Sequence, residues 1–151
     1  MNICVIINHK NNTMKILIHI FVITVLFTVK TVSAQNKTVT ATVVNVTSDK
    51  GKVKFALYIK ENFRKEPLQA KESVIKQGKS TVIFENIPTG EYAIICFHDA
   101  NNNSKMDFEP NGMPLEDYGA SNNKLSRFGP PQFEEAKFLV EDKNVSFDIK
   151  F

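Results

Sequence analysis

The chain has 151 residues, with 19 Lys and Arg against 16 Asp and Glu, for a formal net charge of +3. The charges are interspersed rather than gathered in blocks, which argues against nucleic acid as a partner. The length favours one domain, and the two cysteines are too few for a disulfide framework.

The first 34 residues are typical of a secretory signal peptide. With translation starting at Met14, Lys15 forms the positive region, residues 16–29 the apolar region and residues 32–34 (VSA) the cleavage site. A retained membrane anchor is the alternative, but the apolar run is shorter than the roughly 20 residues that a bilayer requires. We expect a protein without a membrane span after cleavage that is periplasmic, associated with the cell envelope or secreted. The segment holds three basic residues and no acid, so the mature chain is close to neutral.

Residues 35–151 contain a succession of short strand patterns. Residues 37–46 are rich in Thr and Val, and residues 53–60 alternate apolar with polar positions. Residues 61–71 are polar and compatible with a short helix. Residues 91–97 are apolar on both faces, which is typical of a central strand.

Turn signals suggest how these strands connect. The tripeptide at 77–79 (QGK) lies between two short strand patterns and predicts a hairpin. Residues 136–140 are expected to pair with the alternating segment 145–151. These patterns predict an all-β fold of about seven antiparallel strands in a single sandwich domain spanning residues 35–151.

A connection of more than thirty residues separates Asp99 from Glu135. Loops of this length are uncommon in compact domains and are often functional. Its apolar residues are expected to pack onto the sandwich and to make it one long ordered loop: Phe108, Met113, Leu115, Tyr118, Leu125, Phe128 and Phe133.

The segment HDANNNSKMD at residues 98–107 has the ligand spacing of an oxygen-rich calcium loop. Side chains with oxygen occupy its first, third, fifth and ninth positions, and the seventh offers a backbone carbonyl. The predicted metal ligands are Asp99, Asn101, Asn103, Asp107 and the carbonyl of Lys105. Ca²⁺ is the cofactor that the pattern predicts, at the weak affinity of extracellular modules, because only two of the four side chains are acids.

Two positions depart from this calcium pattern. The sixth is Ser104, where the sharp turn prefers glycine, and the twelfth is Pro110 in place of a bidentate acid. Glu109 or Glu116 could replace that acid only if the loop folds back. The alternative is a turn without metal, whose Asn and Asp side chains bond to their own backbone.

Five residues in and around the loop are further candidate ligand contacts: His98, Glu116, Tyr118, Phe128 and Phe133. The three aromatic rings could stack on sugars or could instead anchor the loop to the core. His98 is the one histidine after residue 34, so a hydrogen-bonded histidine at a strand end is expected rather than a zinc ligand. A small hydrolase using Glu116 or Asp107 is the enzymatic alternative, and no nucleophile or cofactor motif supports it.

Three motifs carry a family resemblance: HDxNxN at 98–103 followed by Asp107, GMPxExYGxSN at 112–122, and FGPPxFExA at 128–136. Through them the chain resembles the bacterial DUF2141 family of exported proteins, whose activity is unassigned. The resemblance implies one β-rich domain in the envelope or secreted. Members often have Gly after the third ligand position, where this chain has Ser104. The IPxGxY turn at 87–92 resembles that of transthyretin-like sandwiches.

The fold expected is therefore a sandwich of the immunoglobulin-like or transthyretin-like kind. The function expected is that of an exported, non-catalytic binding or structural module, with a carbohydrate or an envelope protein as partner. A carbohydrate-binding domain and a small hydrolase are the alternatives.

Overall fold

The computed structural model describes residues 37–124 and 129–151. The signal peptide predicted at residues 1–34, the candidate contact Phe128 and the predicted packing residue Leu125 lie outside these described residues. The described residues contain eight strands: β1 Lys37–Val43, β2 Lys52–Tyr58, β3 Gln69–Val74, β4 Ser80–Ile87, β5 Gly90–Asp99, β6 Tyr118–Ala120, β7 Phe138–Val140 and β8 Val145–Ile149. A short helix, α1, spans Phe133–Ala136, and 3-10 turns lie at Lys60–Asn62 and Ser121–Asn123.

The eight strands form two sheets, which confirms the all-β prediction and fits a sandwich. One sheet has the order β4-β1-β8, and the other has the order β3-β2-β5-β6, with β7 also paired to β5. All pairs are antiparallel except β1 with β8, which run parallel. The prediction of a purely antiparallel sandwich is therefore corrected at this one pair. Among the described residues, no helix is long and apolar enough to cross a bilayer.

The alternation predicted for β2 is confirmed by burial. Val53, Phe55 and Leu57 are almost fully buried, whereas Lys54 on the opposite face is only partly buried. The three buried residues belong to one apolar cluster to which both sheets contribute. Burial of each large apolar side chain stabilises the fold by about 1.5–3 kcal/mol. This cluster is therefore the main source of stability.

The predicted pairing of residues 136–140 with residues 145–151 is wrong. β7 pairs with β5, with Val140 opposite Gly90, and β8 pairs with β1, with Val145 opposite Val39. β7 and β8 therefore lie in different sheets instead of forming a hairpin. Alternation identifies the buried face of a strand, but it does not identify the neighbouring strand.

The turn at residues 77–79 is present, but the hairpin predicted around it is not. Gln77 and Gly78 have φ of +53° and +70°, and Lys76 and Lys79 form an isolated bridge across them. Beyond this bridge β3 joins β2 and β4 joins β1. The chain thus crosses between sheets here. The polar segment 61–71 contains only the end of one 3-10 turn and the start of β3, not a longer helix.

A second, smaller apolar cluster covers the other face of β5. Ala93 packs there with Ala120, Phe133 and Ala136, with Phe63 at its margin. This explains why β5 is apolar on both faces, and it confirms the prediction of a central strand.

The buried hydroxyl of Ser121 ties the elements of this cluster together. It accepts the N–H of Ile94 at 3.0 Å and donates to the carbonyl of Ala136. It thereby links the 3-10 turn at Ser121–Asn123 to both β5 and α1. Because the contact joins three chain segments, it positions the point at which the long loop returns to the sheet.

Candidate functional site: the loop between β5 and β6

The end of β5 directs two candidate residues to opposite faces of its sheet. His98 follows Cys96 on the inner face and is buried, and its Nε2 donates to the carbonyl of Lys50 at 2.7 Å. A carbonyl only accepts, so Nε2 carries the proton. None of the described hydrogen bonds of His98 reaches the side chain of Asp107 or Glu116. The site therefore does not bring together the three groups that would favour hydrolysis.

Asp99, on the outer face of β5, is the buried anchor of the loop. Only 1% of its surface is exposed. Its Oδ1 accepts the N–H of Asn103 and its Oδ2 that of Ser104, both at 3.0 Å. Gly51 allows the adjacent turn to approach, because a Cβ there would lie 2.1 Å from the carbonyl oxygen of Asp99. One carboxylate thus closes the first turn of the loop.

Asn101, Asn103 and Asp107 form the exposed part of the candidate metal site. Both amide nitrogens donate to Oδ2 of Asp107, at 2.7 Å from Asn101 and 2.8 Å from Asn103. The amide oxygen of Asn101 accepts the backbone N–H of Asn103, and the amide oxygen of Asn103 accepts the backbone N–H of Lys105. These are the self-bonded turns expected in the alternative without metal, and they also place four of the predicted ligands in one loop.

The sixth position of the loop has the backbone conformation that favours glycine. Ser104 has φ of +68°, and Asn102 two residues earlier has φ of +59°. A left-handed residue with a Cβ costs roughly 1–2 kcal/mol, less for Asn, whose side chain tolerates this region. Ser104 therefore carries local strain that glycine would relieve.

Glu116 lies thirteen residues beyond Asn103, and its side chain returns to the loop. Its Oε1 accepts the N–H of Ala100 at 3.1 Å, and its Oε2 accepts that of Asp107 at 3.3 Å. The loop thus folds back, which was the condition for Glu116 to replace the missing acid. Three acids, Asp99, Asp107 and Glu116, consequently bond to the same short segment. Among the described residues, however, no three His, Cys, Asp or Glu side chains are already grouped as a metal would require.

Residues 107–115 form a small hairpin that sequence reasoning missed. The N–H of Leu115 donates to the carbonyl of Asp107 at 2.9 Å, and that of Glu109 to the carbonyl of Met113 at 2.8 Å. Phe108 and Pro114 form a bridge between its two arms. The sequence PNG at residues 110–112, between Glu109 and Met113, is typical of a tight turn and could have predicted this hairpin.

The apolar side chains of this hairpin do not pack onto the sandwich, contrary to the prediction. Phe108, Met113 and Leu115 are 56%, 61% and 60% exposed. Backbone hydrogen bonds join the two arms, while these three side chains remain largely exposed. A cluster of exposed apolar side chains of this kind is typical of a contact surface.

The aromatic candidates do not share one platform. Phe133 is buried and packs edge-on against Phe63, with ring centres 5.5 Å apart. Tyr118 is half-buried and lines a groove of about 370 Å³ beside the hairpin. Phe133 therefore anchors α1, and Tyr118, the other described ring among the three candidates, remains accessible to a ligand.

The cysteine on β5 does not serve as a nucleophile. Cys96 is fully buried, and burial raises the pKa of its thiol far above the usual range. Its Sγ donates to the carbonyl of Gly119 at 3.6 Å. Since the thiolate is the reactive form, Cys96 is a small core residue.

Comparison with known proteins places the chain in a family but assigns no activity. Comparison with curated proteins and with solved structures gave no match. The model of DUF2141, described as an uncharacterized protein conserved in bacteria, matches residues 41–148. This range contains the whole loop between β5 and β6 and most of both sheets. The chain therefore belongs to the DUF2141 family of uncharacterized bacterial proteins.

Proposed function

We propose that this protein is an exported, non-catalytic binding module whose loop between β5 and β6 binds Ca²⁺. The observation that carries the proposal is the return of Glu116 to the loop, where it bonds to the backbone of Ala100 and Asp107. It supplies the acid that the twelfth position lacks.

The oxygen count is sufficient for calcium. Ca²⁺ takes about six to eight oxygens from carboxylates, amides, backbone carbonyls and water. The contributing groups are the side chains of Asp99, Asn101, Asn103, Asp107 and Glu116 and the carbonyl of Lys105. Water completes the shell on the exposed side.

Binding requires the rotation of two amides, which breaks the hydrogen bonds that their oxygens accept from the N–H groups of Asn103 and Lys105. Asn101 and Asn103 now direct their nitrogens at Asp107, and a half-turn of each amide directs the oxygen there instead. A cation at Asp107 would favour this rotation, because a cation attracts the amide oxygens and takes the place of the two N–H donors at the carboxylate.

The role of the ion is structural. The loop leads directly into the 107–115 hairpin, whose apolar side chains are exposed. Holding Asp107 and Glu116 together holds both ends of that hairpin, since Leu115 also bonds to Asp107. The hairpin is then presented in one orientation to a ligand or partner, which lowers the entropic cost of binding.

Calorimetry and thermal melting with CaCl₂ test the metal. We expect saturable binding at about 10⁻⁴–10⁻³ M and a rise in Tm with millimolar Ca²⁺. Glu116→Gln and Asp107→Asn should each weaken binding at least about fivefold. Asp117→Asn is the matched control, because this neighbouring acid accepts only from Thr47 among its described side-chain contacts. Absence of both heat and Tm shift at millimolar Ca²⁺ would show that the loop is the self-bonded turn.

Export has its own test. N-terminal sequencing of the protein recovered from its native bacterium should begin at Gln35, directly after the small residues at 32–34. Recovery from the cytoplasm with residues 1–34 intact would refute this part of the proposal without affecting the calcium measurement.

A further inference from the structure

A groove beside the 107–115 hairpin is apolar apart from one cationic side chain. Ile95, Met106, Phe108, Met113 and Tyr118 line it, together with Arg64. Its volume of about 370 Å³ lies within the range of small-molecule sites, roughly 300–1,000 Å³. We call it the hairpin groove. Its exposed apolar lining favours a ligand with an apolar body.

Arg64 is held at the groove by an anchored turn. The N–H of Lys65 donates to the carbonyl of Asn62 at 2.9 Å, and Arg64 itself has φ of +60°. The preceding residue, Phe63, packs edge-on against Tyr58 with ring centres 5.6 Å apart, and against Phe133 on its other side. The backbone at Arg64 is therefore positioned by packed aromatic rings, although its side chain is exposed.

The guanidinium of Arg64 has no acidic partner in the described part of the chain. The ion pairs found there join Lys52 and Lys54 to Glu72, Lys60 and Lys137 to Glu134, and Lys137 to Glu91. Guanidinium presents parallel N–H donors that fit a carboxylate in bidentate geometry. A cation without a partner beside an apolar groove complements a ligand that has one anionic group.

We propose that the hairpin groove binds a small amphiphile with an apolar body and one carboxylate, the carboxylate being held by Arg64. A sugar fits this lining less well, because its many hydroxyls need polar partners, and most of the groove offers none. The inference deepens the proposed binding role and rests on it. It does not require Ca²⁺, since none of the residues that line the groove is one of the proposed calcium ligands.

Octanoate is the probe, and 1-octanol and octylammonium are its neutral and cationic analogues with the same chain length. Each is titrated into the purified protein by calorimetry and by amide NMR. We expect saturable octanoate binding with shifts at Ile95, Tyr118 and the hairpin. The affinity for 1-octanol should be at least about fivefold weaker, because a charge-assisted hydrogen bond is lost, and octylammonium should not bind.

Two variants and two controls locate the site. Arg64→Gln should reduce octanoate affinity to that of 1-octanol, and Met113→Ala should weaken both ligands. Lys65→Gln removes a neighbouring exposed cation, and Leu139→Ala removes an apolar side chain 52% exposed on β7. Both controls should leave binding unchanged. Melting temperatures verify that each variant is folded.

Three results would each overturn the proposal: no saturable octanoate binding below micelle-forming concentrations, equal binding of the acid and the alcohol, or octanoate binding unaffected in folded Arg64→Gln. Every titration is run both in EDTA and in millimolar CaCl₂. Loss of octanoate binding with intact calcium binding refutes this inference alone. The reverse pattern refutes only the calcium loop.

Discussion

The sandwich and the loop at residues 100–117 distribute their apolar side chains in opposite ways. In the sandwich, residues such as Phe55 and Phe84 are buried between the sheets. In the loop, Phe108, Met113 and Leu115 face water, while the buried carboxylate of Asp99 holds the first turn. Hydrogen bonds hold the loop in place, whereas apolar burial holds the sandwich.

This contrast separates stability from recognition. Apolar surface that does not stabilise the fold remains available to stabilise a complex. Because the loop begins on the central strand β5 and returns through Ser121, its two ends are attached to the most buried part of the sheet. The fold can therefore hold the hairpin firmly without burying it.

The largest effect should come from exchanging a buried phenylalanine. Phe55→Ala leaves a cavity between the sheets and should lower the free energy of unfolding by about 3–5 kcal/mol. Phe108→Ser, at a phenylalanine 56% exposed, should change it by less than about 0.5 kcal/mol. Urea denaturation followed by circular dichroism measures both. A loss above about 2 kcal/mol for Phe108→Ser would mean that the hairpin is part of the core.

A smaller gain is expected at Ser104. Ser104→Gly removes the cost of φ +68° but adds backbone entropy to the unfolded chain, for a net local stabilisation of about 0.5 kcal/mol. Slower hydrogen exchange of the amides of Asn103 and Ser104 would report it. Ser104→Ala is the control, because it keeps the Cβ. An equal gain in that variant would mean that the backbone conformation is not the cause.

The smallest effect concerns an exposed ion pair on the sandwich. The hydrogen bond from Lys60, followed by that from Lys137, lowers the pKa of Glu134 from its ordinary value of 4.5. A lowered pKa in the folded state stabilises the protein above the unfolded pKa, and this contribution disappears as the pH falls through the folded pKa. The Glu134→Gln variant should therefore lose slightly less Tm than the original protein as the pH falls below about 4.5. A steeper loss in the variant would contradict this sign.

Prediction from the sequence succeeded where a local pattern has one physical meaning. The alternation at Val53, Phe55 and Leu57 identified the buried face of β2, and the apolar run in β5 identified a central strand. Prediction failed for the choice of neighbouring strands. The parallel pair of β1 with β8 depends on the path of the whole chain, and no local pattern encodes that path.

The candidate site was predictable to a similar extent. The spacing of Asp99, Asn101, Asn103 and Asp107 identified the loop, and the structure places them in one hydrogen-bonded segment. For Glu116, the sequence showed only that this acid could contribute if the loop folded back. No sequence pattern indicated the groove at Arg64, because residues that are distant in the chain line it.

The sequence by itself determined the strand-rich character of the chain, the inner faces of its main strands and the position of its oxygen-rich loop. These depend on periodicity and on residue chemistry, which are local properties. Only the tertiary structure decided which strands are neighbours, which acid returns to the loop and which apolar side chains stay exposed. Those outcomes depend on contacts between distant segments, because burial and pairing are properties of the folded chain as a whole.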